Sequence, residues 1–273
     1  MRALTLALLM FGLLAAGLRL QDQHQLSHHK YYLGKRNSLH GYAFVHFHHY
    51  DQHANRTAAD HPHLHYPQQQ QHQDRKRQLF SPCTGAISPG ARWRSSEGYW
   101  VHTRNSLQLS ESFIVTAVGR AMDRWNCALD QLGLTTIGPR LGVRRGVAAR
   151  DFVLTRPTGE NEIGFGPIEG RPGTVAVTVV WGVFGGPEQM REIREFKMRF
   201  DEQHYRFGNA SLSSVFMDLE AIATHEVGHA HGLDDIYSDG CRDVTMFGTS
   251  RNGETKKRSL EEQDVDGLRA LYS

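Results

Sequence analysis

The chain has 273 residues, 39% of them hydrophobic and 22% charged, with a formal net charge of +2. That length and composition allow one sizeable core with flanking segments and exclude wholesale disorder. The near-neutral balance gives no electrostatic reason to expect nucleic acid or an acidic membrane as the main partner.

Taken in chain order, residues 1–17 read as a signal peptide. Arg2 supplies a positive start, Leu4 to Gly17 is an apolar stretch, and Ala15-Ala16-Gly17 offers small residues for cleavage. The run is shorter than the ~20 residues that span a bilayer. No later segment is apolar and long enough to do so, and the expectation is a soluble, exported, monomeric protein. In an oxidising compartment Cys83, Cys127 and Cys241 form one disulfide and leave one thiol, without spacing fixing the pair. Asn55 and Asn209 each open a glycosylation triplet.

Residues 18–77 differ from the rest. Twelve of the 17 histidines lie between His24 and His72, and Gln68 to Gln71 is a homopolymeric run. No apolar period persists there, which predicts a disordered or loosely ordered tract. It ends in Arg75-Lys76-Arg77, a sequence that a processing protease could cut, making 18–77 a propeptide. The competing reading is a solvated linker.

Residues 78–273 read as one folded domain. Tyr99 to Thr103 predicts a strand. Ser112 to Leu132, preceded by Ser110, predicts an amphipathic helix with Ile114, Val115, Val118, Met122, Trp125 and Leu129 on one side. Asp151–Leu154, Glu162–Gly166, Thr174–Trp181 and Ile193–Phe200 predict four more strands. A second long helix is expected over about Ser213–His231. A last one is expected over Leu260–Leu271, opened by a Ser259-to-Glu262 capping box. The pattern is an α+β domain: a twisted mixed sheet of about five strands with two long helices and a C-terminal helix.

The chemistry concentrates in His225-Glu226-Val227-Gly228-His229. Residues four apart share a helix face, so both imidazoles can reach one ion, and Glu226 can act on water at the ion's open position. A third ligand is needed. Gly232 can take a positive φ and turn the chain back, which brings Asp235 to the metal, with Asp234 as its nearest rival. His231 falls about 200° round the helix from His229 and should point away.

This stretch resembles the metzincin metallopeptidases, whose third ligand follows a glycine and whose site is floored by a methionine turn. Val244-Thr245-Met246-Phe247-Gly248 is similar to that turn, with Met246 as floor, and Ser259 to Tyr272 is similar to the closing helix of the matrixin branch. The likeness covers roughly 92–273 and is most specific over 216–273. It implies a secreted zinc endopeptidase acting on proteins or peptides. Its single catalytic Zn2+ would be held by His225, His229 and Asp235, with Glu226 as general base and Thr174–Trp181 as the edge strand along which substrate lies. Structural Ca2+ has no recognisable loop in 166–190, and the isolated His204 argues for no second zinc.

The sequence departs from the family in two places. Matrixins usually place a histidine where Asp235 stands, although snapalysin-like metzincins use aspartate. An anionic ligand lowers the site's charge from about +2 to about +1, which favours an optimum at or above neutral pH. The family's inhibitory cysteine precedes the processing site, whereas Cys83 follows it and reads as a disulfide partner. Other readings are a gluzincin drawing Glu261 or Glu262 as ligand, a non-catalytic module on the same fold that binds metal or matrix, and a metal-sequestering role for the histidine tract.

Overall fold

The computed structural model describes residues 24–25, 30–36, 38–48, 83–85, 90–134, 141–148, 151–169 and 173–272. The signal segment, the Asn55 triplet and the basic triplet at 75–77 lie outside the described residues.

A single mixed sheet organises the domain. Five of its strands form the expected core: β4 (Glu97–His102), β5 (Leu141–Ala148), β6 (Glu162–Gly166), β7 (Thr174–Val183) and β8 (Glu192–Asp201). They lie in the order β7-β8-β6-β4-β5, all parallel except that β7 runs antiparallel to β8. Four of the five match predicted segments. The fifth does not: Asp151–Leu154 is a loop, and the strand is Leu141–Ala148. Phe152 and Leu154 are buried all the same, because the loop drops them onto the outer face of the sheet beside Val177, Val179 and Trp181. Their apolar character is an anchor for a loop, which short-range pattern cannot tell from a strand.

Two helices cover the other face. Helix α1 (Glu111–Gln131) is capped by the Ser110 hydroxyl, which accepts from the Phe113 N–H. It buries Ile114, Val118, Met122, Trp125 and Leu129 as its period requires, and the Trp125 indole donates to the Thr224 carbonyl at 2.7 Å. Helix α2 (Leu219–Ala230) is shorter than predicted. Its start is fixed by Asp218, whose carboxylate accepts from the Ala221 N–H, while Met217–Asp218 (β10) pairs with Phe207–Gly208 (β9). All twelve residues of α2 are buried, so it is a core helix with no solvent face. Helix α3 (Glu262–Tyr272) begins later than the predicted capping box. Ser259 Oγ instead donates to the Lys256 carbonyl, and the Asp264 carboxylate takes the Glu261 N–H.

The main correction concerns the histidine-rich tract. Residues expected to be loosely ordered form β2 (Lys30–Arg36) and β3 (Leu39–His48), with a short β1 (His24–Gln25) beyond them. Strand β3 runs antiparallel along β7 from His40–Gly182 to Phe47–Thr174 and then parallel to β11 (Thr249–Ser250). Thus β7, expected at the edge, is flanked on both sides. Alternation explains why this segment folds: Ala43 and Val45 join the outer apolar cluster, while Phe44 joins the core on the helix side. A Cβ on Gly41 would lie 2.5 Å from the Trp181 ring, so only glycine allows the strand this close.

The Cys83–Cys241 disulfide ties the start of the domain to the segment after Asp235, and Cys127 is free and exposed. Among the described residues no helix is long and apolar enough to cross a membrane.

Candidate metal centre

Helix α2 carries His225 and His229 one turn apart with their rings edge to face, centroids 4.7 Å apart. Each ring is oriented through Nδ1: that of His225 lies 2.7 Å from the Thr245 carbonyl and that of His229 lies 2.8 Å from the Leu233 carbonyl. A bond to a carbonyl requires the proton on Nδ1, which leaves Nε2 as the lone-pair donor on both rings. The chain then leaves the helix through Gly232 at φ 101°, a conformation that favours glycine. Beyond this turn Asp235 Oδ1 comes to 3.1 Å from His225 Nε2 and 3.4 Å from His229 Nε2.

These separations are a fit test for a tetrahedral ion. Ligand atoms ~2.0–2.1 Å from zinc at tetrahedral angles stand ~3.3 Å from one another. The same three atoms, with Glu226 Oε1, are buried and make no hydrogen bond of acceptable geometry. Orphaned buried polar atoms are costly, and the two imidazole nitrogens with Asp235 Oδ1 beside them, and Glu226 Oε1 grouped with the imidazoles, are the signature of a cation site. The residues therefore fit zinc. Asp234 is turned elsewhere, and its carboxylate meets Lys30 Nζ from β2 at 2.8 Å.

Electrostatics point the same way. Burial favours the uncharged form of every member. It pushes His225 down to about 3 and Glu226 up to about 7. Burial would also lower His229, but the carboxylates of Asp235 and Glu226 outweigh it and hold it at about 9. Asp235, which burial alone would raise, is drawn well below the carboxylate range by His229 and His225.

Glu226 is fully buried, and Thr178 Oγ1 of β7 donates to its Oε2 at 2.5 Å. Met246 is also fully buried, and it lies directly under α2. A Cβ at Gly228 would stand 2.2 Å from Met246 Sδ and 2.8 Å from the Trp125 ring. The helix sits on sulfur because residue 228 has no side chain. Asp264 of α3 holds the turn from below, accepting from the N–H groups of Thr245 (2.9 Å) and Met246 (3.0 Å). A chain of contacts thus runs from α3 through the turn to the His225 ring. His231 stays out of the cluster, buried near Tyr272 and Trp125.

Sequence reasoning missed Asp264, Thr178, Lys257 and His46. Asp264 looked like one acid among several in a helix start. Thr178 was one polar residue in a valine-rich strand. Lys257 is fully buried with its pKa pushed down to about 7 by burial, and it donates to the carbonyls of Phe247 and Thr249. His46 was lost in a tract rich in histidine. A hollow of about 690 Å³ lined by Leu107, Phe113, Phe207, Leu212 and Phe216 lies away from the cluster and offers no metal-ligating side chain.

Comparison with known proteins agrees with this geometry. A family model described as matrixin matches residues 92–273. Metalloendoproteinase 4-MMP of Arabidopsis thaliana is 31% identical over 106 residues, which is 39% of this chain and 27% of that protein. The chain spans about a quarter of that relative's length.

Proposed function

The chain belongs to the matrixin family, and from that premise we propose that it is a secreted zinc-dependent endopeptidase cutting peptide bonds within proteins. The observation that carries this is the convergence of His225 Nε2, His229 Nε2 and Asp235 Oδ1 at ligand spacing beside the carboxylate of Glu226.

Zinc when bound supplies Lewis acidity, acidifying water and polarising a carbonyl. The protein does the rest. His225, His229 and Asp235 would hold the ion, and the carbonyls of Thr245 and Leu233 fix the two imidazoles in the donating tautomer. Glu226 takes the proton from the attacking water and delivers it to the leaving amine, and Thr178 keeps the carboxylate aimed. Met246, packed beneath Gly228, is the rigid floor that stops the two ligands from moving apart. An extended peptide would bind to β7 by backbone hydrogen bonds only in place of β3, which occupies that edge in the full chain.

Residues 1–17 act in this reading as the export signal and 18–77 as a propeptide removed at Arg75-Lys76-Arg77. The catalytic domain then comprises 78–273, stapled near its new N-terminus by Cys83–Cys241. Cleavage of a denatured protein by the chain after limited proteolysis at the triplet tests the function. A chelator should abolish it and added zinc restore it. Cleavage indifferent to both would refute the reading.

A further inference from the structure

Strand β3 lies where a substrate of this site would lie. It pairs antiparallel with β7, the strand that supplies Thr178 to Glu226, and its other side pairs with β2 over Leu39 to Phe44 and then with β11, just past the Met246 turn, at Phe47 and His48. It is thus inserted between the two walls of the cleft. Its side chains on the helix side meet the metal cluster in turn. The Phe44 ring stacks on His229, with centroids 4.6 Å apart and planes within 12°. The His46 ring lies over His225 at 4.0 Å. His225, Glu226, His229 and His46 are all fully buried, so among the described residues these reacting groups are closed to solvent with β3 in place. Lys30 of the adjoining β2 clamps the arrangement through Asp234, the neighbour of Asp235.

His46 is more than a plug. Its Nε2 lies 2.9 Å from Ser250 Oγ, while its Nδ1 is buried without a hydrogen-bond partner. His46, His225 and Asp235 each offer a ligand atom within 4.8 Å of the others. Three protein ligands leave a fourth tetrahedral position open in a catalytic zinc site, and a fourth protein ligand closes it. Resting on the peptidase reading above, we propose that β3 is an internal occupant of the substrate cleft and that His46 is the fourth metal ligand, holding the full chain latent. The connection from β3 back to the domain contains Arg75-Lys76-Arg77. A cut there leaves β3 held by non-covalent contacts alone, free to be exchanged for substrate.

The alternative is that β3 is a permanent strand of the sheet with His46 as filler. The full chain loaded with cobalt(II) in place of zinc separates the two, because visible absorption of cobalt reports the number and type of ligands. His46→Ala should change that spectrum and weaken metal binding by roughly tenfold or more, the scale known for losing even an outer partner of a metal ligand. Gly41→Leu, which drives a side chain into Trp181 without touching the metal cluster, should speed hydrogen exchange over residues 39–48 and raise protein cleavage severalfold. An unchanged spectrum and affinity in His46→Ala would overturn the proposal, as would slow exchange over 39–48 persisting after the triplet is cut in the presence of substrate. Neither readout depends on peptide hydrolysis. A changed spectrum with no cleavage by the Gly41→Leu chain would uphold His46 as ligand and count against the peptidase function instead.

Discussion

Nε2 of His225 and Oδ1 of Asp235 stand 3.1 Å apart, at the spacing of two ligands on one tetrahedral ion. The adjacent Asp234 is spent on Lys30. Asp235→Ala should therefore abolish stoichiometric zinc in the purified protein, whereas Asp234→Ala should retain it. Metal analysis after dialysis against a weak chelator decides this, and zinc lost only from Asp234→Ala would reverse the assignment.

The turn that floors the site depends on a residue from a different helix. Asp264 accepts two backbone N–H bonds from Thr245 and Met246, and the Thr245 carbonyl orients His225. Replacing Asp264 by alanine strands two buried donors, at about 1–3 kcal/mol each. It should also weaken zinc binding by roughly 10–100-fold, although the residue never touches the ion. Denaturant midpoints and zinc titration read the two effects. Full zinc affinity in Asp264→Ala would break the inferred link from α3 to His225.

A buried ion network adds to the acid sensitivity of the fold. Glu162 of β6 is pushed up by burial, but bonds from His102 and Lys197 outweigh this and hold it at about 2. A carboxylate depressed in the folded state adds stability that is fully present above its unfolded value near 4.5. That stability drains away as pH falls from there through about 2. The urea midpoint should accordingly drop between pH 6 and pH 3, and drop less in Glu162→Gln. Equal drops in both proteins would show that this carboxylate does not govern acid sensitivity.

Cys83 and Cys241 close a loop across 158 positions of sequence, so reduction should cost about 2–5 kcal/mol. In the native chain only the exposed Cys127 should react with a thiol reagent. Stability unaffected by reductant, or rapid labelling at Cys83, would contradict the pairing.

Much of the centre was legible because its chemistry is local. His225, Glu226 and His229 share one helix, and Gly232 marks the turn to Asp235. The core strands β4, β6, β7 and β8 were legible from runs of alternating or continuous apolar residues. What escaped depends on distant partners. Strand β5 carries Arg144, Arg145 and Gly146 and shows little apolar alternation, whereas Phe152 and Leu154 mimic a strand and anchor a loop. The second helix is shorter than its sequence suggests because Ser213 and Asp218 are both good N-cap residues, and only the pairing of β10 with β9 settles the start at Asp218. The greatest loss was β3. The composition around it reads as low complexity, yet Gly41-Tyr42-Ala43-Phe44-Val45-His46-Phe47 is a short apolar run whose residues sort onto two faces only against β7 and the metal cluster.

The central claim is that Glu226 is the base of a zinc peptidase. Wild type and Glu226→Ala, each zinc-loaded and cut at the basic triplet, should be compared on a denatured protein substrate. Both should hold one zinc, and the variant should cleave roughly 10²–10⁴-fold more slowly. Equal cleavage by the two proteins would contradict the account.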